Sequence, residues 1–122
     1  FATAAEVAQT SLTRPTEAAP DSFSLLPLFR GKQGQFKRAP VVNHSSNGTF
    51  AIRQGPWKFI LGDGSGGREK PRGTRFGSPW QLYHLGEDLG ARNNRIDAEP
   101  EIARNLANEL FRLFANDSSR RR

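Results

Sequence analysis

Few side chains in this 122-residue chain could carry chemistry on their own. It has two histidines, His44 and His84, far apart in sequence. Neither has a carboxylate at ligand spacing, so no metal site is expected from this chain alone. Cysteine is absent, which excludes a disulfide framework, a zinc knuckle and a thiol nucleophile. The run Gly62-Asp63-Gly64-Ser65-Gly66-Gly67 has the glycine content of a phosphate-cradling loop. It lacks the Lys-Ser/Thr that would follow in a P-loop, and no helix is predicted after it, so it reads as a plain flexible loop. Glu87 and Asp88 are adjacent, so their side chains point apart and read as turn residues instead of an acid/base pair.

Charge is the next source of function. Eighteen basic against twelve acidic side chains give a net charge of +6. Such a surplus can mark a surface for nucleic acid, anionic lipid or a sulfated glycan. The cations fall into three groups: Arg30, Lys32, Lys37 and Arg38; Arg68, Lys70, Arg72 and Arg75; and the tail Arg120 to Arg122. Glycine or proline interrupts the first two clusters and none of the three occupies a regular helix face, so they read as solvated surface. Asn-x-Ser/Thr sequons stand at Asn43, Asn47 and Asn116, and matter only where the source glycosylates secreted proteins.

The elements that must position these groups form a small core. Hydrophobic residues make up 35% of the chain, and twelve glycines and eight prolines add turns. That balance predicts a loop-rich unit, or half of a larger one. A chain that begins with Phe1 and contains no methionine is expected to be cut from something longer. No apolar run approaches the roughly 20 residues of a membrane-spanning helix.

Residues 3 to 12 have helix-forming composition. Asp21 and Ser22 are placed to cap a short helical turn through Phe23, Leu25 and Leu26, which Pro27 and Gly31 then end. Residues 39 to 45 carry β-branched side chains into a polar end, and Ser46-Asn47-Gly48 is a hairpin signal. The return strand alternates Phe50, Ile52 and Gln54 with Thr49, Ala51 and Arg53. After Gly55-Pro56, Trp57, Phe59 and Leu61 share one face and Lys58 and Ile60 the other. Residues 62 to 79 hold six glycines and two prolines and read as a surface loop. Strand alternation then resumes, with Trp80, Leu82 and His84 opposite Gln81, Tyr83 and Leu85. Phe50, Trp57, Phe59 and Trp80 read as a core face in preference to a stacking platform for bases or sugars. From Glu99 to about Ala115, a stripe of Ile102, Leu106, Leu110, Leu113 and Phe114 predicts an amphipathic helix covering the sheet. Pro100 suits its first turn, and Asn116 with Asp117 can stop it. The fold class is therefore α+β: about four antiparallel strands packed against one long C-terminal helix, preceded by a helical and extended segment.

Four phrases in this order resemble the C-terminal end of arylsulfatase-type sulfatases, in the alkaline-phosphatase-like superfamily. They are Asp21 to Gly31 (DSFSLLPLFRG), Phe50 to Leu61 (FAIRQGPWKFIL), Pro79 to Asn94 (PWQLYHLGEDLGARNN) and the closing helix. Ser22 stands where the family has glycine, His84 where it has asparagine, and Leu89 where it has proline. The resemblance implies that residues 1–31 are the tail of a large α/β domain and that residues 32–122 form a C-terminal subdomain. It implies a parent sulfuric ester hydrolase acting on an aryl or carbohydrate sulfate, with formylglycine as nucleophile and a calcium ion. The family makes formylglycine from a Cys/Ser-x-Pro-x-Arg motif that is absent here, so no catalytic or metal residue is carried over and the chain is expected to be inactive alone. The partners implied are the N-terminal catalytic domain of the same protein and a sulfated small molecule or glycan, without nucleic acid or a membrane span. A periplasmic or secreted location is implied likewise. His44, beside Ser45 at a strand end, resembles a place where the subdomain leans over the substrate pocket, and is the candidate substrate-binding residue. The competing reading for His44 is a strand-end histidine bonded to nearby backbone. The alternative for the whole chain is a free-standing basic module binding nucleic acid or sulfated polysaccharide.

Overall fold

The computed structural model describes residues 1–10, 22–32, 34, 36 and 38–116. They fall into two compact units, one formed from Phe1–Ala39 and the other from Pro40–Asp117.

The first unit holds two short helices, α1 (Ala2–Val7) and α2 (Leu26–Phe29). Helix starts leave backbone N–H groups without partners. Here the two segments satisfy each other: Ala2 N donates to Ser22 Oγ (2.8 Å) and Leu25 N to Thr3 Oγ1 (2.9 Å). Both helices end in the same way. Thr10 N bonds to Ala5 O and Gln9 N to Glu6 O, with Gln9 at φ +53°. Lys32 N bonds to Pro27 O and Gly31 N to Leu28 O, with Gly31 at φ +71°. Each is a Schellman cap, in which a left-handed residue lets the last carbonyls find donors. The cap at Gln9 ends α1 earlier than composition predicted. Pro27 does not end α2 as expected. It sits in the first turn, where its missing N–H is no loss, and Gly31 closes the helix. Asp21, the other expected cap, lies outside the described residues. Leu26 is buried in this unit, whereas Phe29 remains 74% exposed.

The second unit is a four-stranded antiparallel sheet in the order β1-β2-β3-β4, made of Val41–His44, Phe50–Gln54, Trp57–Ile60 and Gln81–His84. The β1–β2 pairing matches Val42 with Ile52 and His44 with Phe50. Its turn closes with Gly48 at φ +82°, and Asn47 Oδ1 accepts from Thr49 N at 3.1 Å. The β2–β3 turn is the two-residue Gly55-Pro56, with Gly55 at φ +56°. A positive φ at the first position followed by proline's fixed negative φ suits a hairpin turn that keeps strand twist. The free edge of β4 is covered: Leu82 N donates to Asn94 Oδ1 (2.9 Å) and Arg95 N to Leu82 O (2.7 Å).

Helix α3 (Pro100–Asn116) lies on the face formed by Val42, Phe50, Ile52, Trp57, Phe59 and Leu82. Phe59, Ile52, Leu61, Leu82 and Leu110 are fully enclosed. Each contributes about 1.5–3 kcal/mol by burial. The helix stripe is rotated from the expected one. Ala103 and Ala107 are buried with Leu106, Leu110 and Leu113, while Ile102 is half-buried and Phe114 is 39% exposed. Phe114 instead sets its ring edge-on against Phe50, with centroids 4.7 Å apart. The four expected core aromatics all join this cluster, Phe59 enclosed and Phe50, Trp57 and Trp80 half-buried. No helix among the described residues is long and apolar enough to cross a membrane.

Candidate functional site

The sheet's antiparallel path sorts the polar groups to two ends. His44 pairs with Phe50 at one end and His84 with Trp57 at the other, so the two histidines never meet. At the His84 end the groups serve the fold. The His84 ring stands edge-on to Trp57 at 4.6 Å. Contrary to the expectation that neither histidine has a carboxylate at ligand spacing, Glu87 lies three residues on with Oε1 3.7 Å from His84 Nδ1, while its other oxygen pairs with Arg95 at 2.7 Å. Asp88 Oδ2 accepts from the amides of Arg92 (2.6 Å) and Asn93 (2.7 Å). Glu87 and Asp88 are thus turn-building groups with separate partners.

The His44 end gathers the β1–β2 hairpin and residues 62–79. This stretch was expected to be a surface loop, with Gly62 to Gly67 a plain flexible part of it, and it is largely exposed. It is not plain, however: it forms an arm that doubles back on itself, through bridges between Gly62 and Arg75 and between Ser65 and Arg72. Asp63 accepts from Thr74 N (2.6 Å) and from Thr74 Oγ1, which holds the Asp63 carboxyl below its ordinary pKa despite its exposure. Gly64 and Gly73 are in backbone contact: a Cβ on Gly73 would lie 2.6 Å from Gly64 N. Gln81 Nε2 donates to the carbonyls of Gly62 (2.8 Å) and Gly64 (3.1 Å), anchoring the arm to β4. Asn47 Nδ2 reaches Gly73 O at 3.1 Å and Ser46 Oγ reaches Gly66 O at 3.3 Å, joining the arm to the hairpin. Glycines here permit close backbone approach, which explains why a composition read as loose yields a tied structure.

Between arm and hairpin lies a cavity of about 140 Å³ bounded by Asn43, His44, Thr49, Lys58, Ile60 and Gly66. Its cation is Lys58, and the residues that bound it include no carboxylate. Thr49 is 4% exposed and its Oγ1 has no hydrogen-bond partner among the described residues. His44 itself is exposed. Its Nδ1 lies 3.2 Å from Ser45 O, and its ring is 5.8 Å from that of Phe50.

Sequence reasoning passed over Arg75 and Phe76. The rings of Phe50 and Phe76 are stacked, 6.5 Å apart and 8° from parallel. The Arg75 guanidinium lies over Phe76 at 4.7 Å and over Phe50 at 5.8 Å. Its only local signal was membership in a basic cluster, because the contact joins segments distant in sequence. Tyr83, on the face opposite Trp80, is half-buried and donates its hydroxyl to Gln81 Oε1 at 2.7 Å. Burial, helped by Asp88, raises the pKa of the Tyr83 phenol.

A second, apolar cavity of about 310 Å³ runs along α3 and is lined by Trp80, Ile96, Pro100, Ala103 and Phe111 among others. The described residues contain no group of three or more His, Cys, Asp or Glu side chains able to hold a metal ion. They therefore do not fit the calcium ion implied by the sequence resemblance, and a chain without cysteine or a Ser-x-Pro-x-Arg run does not fit formylglycine.

This architecture is a small α+β subdomain: an antiparallel sheet backed by one helix, presenting a tied hairpin and arm at one end. No protein-family model matches the chain, and no curated protein matches it. Among solved structures it is similar to a sulfatase of Bacteroides thetaiotaomicron, designated 6S-sulf and described with that organism's metabolism of multiple glycosaminoglycans. The match has a TM-score of 0.71 and 31% identity, and it covers 93% of this chain. The chain spans only 23% of that protein, so it corresponds to a segment of a sulfatase-related protein.

Proposed function

We propose that the chain is the C-terminal portion of a sulfatase that hydrolyses sulfate esters, either aryl or carbohydrate. In this reading residues 1–31 finish the large α/β domain, and residues 32–122 form the supporting subdomain. The calcium ion and the formylglycine nucleophile belong to the remainder of the parent, and the N-terminal catalytic domain is the partner. The supporting observation is the 93% overlap with the Bacteroides sulfatase at 31% identity. The apolar surface at Phe29 is consistent with a covering neighbour. Sulfated glycans are the favoured carbohydrate class, by analogy with the glycosaminoglycan context of that relative.

His44 is the substrate contact in this proposal. It lines a cavity, and its Nδ1 lies near the carbonyl of the adjacent Ser45. The test is sulfate release by the intact parent, carrying an upstream Cys/Ser-x-Pro-x-Arg, compared with this chain alone in added calcium. Release by the parent and none by the chain is expected. An intact parent that releases sulfate from neither aryl nor sugar esters would overturn the reading. Within an active parent, His44→Ala should lower kcat/KM on the native ester, and an unchanged value would remove His44 from the site.

A further inference from the structure

We infer that Arg75 is a specificity-determining contact for anionic groups on a sulfated glycan chain, an inference that rests on the sulfatase reading above. The backbone of Arg75 bridges to Gly62, which pins its start at the sheet end. Its stem then crosses the hairpin: a Cβ added at Gly48 would meet Arg75 Cδ at 3.6 Å. Its head lies over the stacked rings of Phe76 and Phe50. Phe76 takes a left-handed φ of +62° to close this turn, with Gly77 N bonded to Thr74 O. Residues other than glycine avoid that region unless their surroundings hold them there.

What Arg75 lacks is as informative. Among the described residues it has no carboxylate partner and no side-chain hydrogen bond, and Asp63, one of the two acids of the arm, is engaged by Thr74. A structural arginine normally spends its donors on carbonyls or carboxylates. This one is fixed by its stem and its face, leaving a planar fork of donors open at the end that carries His44. That geometry suits bidentate pairing with a sulfate or carboxylate. Arg68, Lys70 and Arg72 lie on the same arm against a single other acid, Glu69, so the field there favours a polyanion. A single-stranded nucleic acid binds by stacking its bases on open aromatic faces. Here the rings of Phe50 and Phe76 turn towards each other and the guanidinium, and the donor fork of Arg75 is the group that matches an anion, which favours the glycan.

The experiment is a binding titration of the 122-residue chain with a size-defined, sulfated glycosaminoglycan hexasaccharide at low ionic strength, read by calorimetry and amide shifts. Arg75→Ala should weaken binding about tenfold, the scale of one charged hydrogen-bonding contact. Arg75→Lys should fall between, because it keeps charge without the fork. Arg92→Ala, which removes an equal charge at the far end of the sheet, should change affinity by less than about twofold, the scale of a distant screened charge. Equal losses for Arg75→Ala and Arg92→Ala would overturn the inference, showing unselective attraction. No binding by the unaltered chain, or equal binding to single-stranded DNA of matched charge, would overturn it too. Failure of the parent to release sulfate, alongside Arg75-dependent binding, would instead count against the sulfatase reading alone.

Discussion

Gly62 and Thr49 meet at the end of the sheet so closely that a Cβ added to Gly62 would stand 2.7 Å from Thr49 Cγ2. Thr49 is enclosed, so its methyl has no free direction in which to yield. Gly62→Ala should therefore cost about 1–3 kcal/mol, as overpacking does. Thr49→Ser removes the offending methyl, so the double variant should regain stability relative to Gly62→Ala. Urea unfolding of the four proteins in the cycle measures this. A double variant no more stable than Gly62→Ala would refute it.

Gly73 differs because its neighbour is backbone. A Cβ there would lie 2.6 Å from Gly64 N, and no side-chain substitution can make room. Gly73→Ala should open the arm, with loss of amide protection at Ser65 and Gly73, which bond to Pro71 O and Ser65 O. The sheet amides should keep theirs. Hydrogen exchange distinguishes the two, and unchanged protection in the arm would contradict the packing argument.

Asp63 makes the arm sensitive to acid. Hydrogen bonding from Thr74 N, the main cause, lowers its pKa in the folded state. A lowered carboxyl contributes stability above its unfolded pKa and loses it as pH falls through the folded value. The Thr74 amide resonance should therefore shift below the ordinary aspartate range, near pH 3.9 and lower. Asp63→Asn should abolish that titration, whereas persistence of the shift in the variant would assign it to another group.

Tyr83 acts at the other extreme. Burial raises its phenol pKa, with Asp88 adding to the effect. A raised group stabilises the fold below its unfolded pKa, and that contribution disappears as pH rises through the folded value. Stability should thus fall above roughly pH 10, and ultraviolet titration should show the phenolate forming later than in free tyrosine. Tyr83→Phe should cost about 0.5–1.5 kcal/mol for the lost bond to Gln81 and should flatten the alkaline limb. A phenolate forming at or before the free-tyrosine pH would refute this.

Leu110 tests the core. It is fully enclosed between helix and sheet, so Leu110→Ala should cost about 2–5 kcal/mol. Phe114→Ala, on the same helix but 39% exposed, should cost less. Chemical unfolding of both variants ranks them, and the reverse order would mean the helix seats differently.

Much of this was legible from local pattern. Alternation at Trp57, Phe59 and Leu61 assigned the sheet face, and Asn47-Gly48 marked the hairpin, because strand period and turn chemistry are properties of neighbouring residues. The helix was equally visible, yet its seam was misplaced by a fraction of a turn. Ala103 and Ala107 carry little hydrophobic signal and are buried only because the helix lies where it does.

The sequence alone thus determined the elements, their faces, the lack of a thiol and the resemblance that points to a sulfatase. Tertiary structure decided the rest: that the glycine-rich arm is laced to the hairpin, that the two histidines stand at opposite ends, and that Arg75 lies over Phe50 and Phe76. These are contacts between segments distant along the chain, and no local periodicity encodes which backbone carbonyl a distant Asn or Gln will reach.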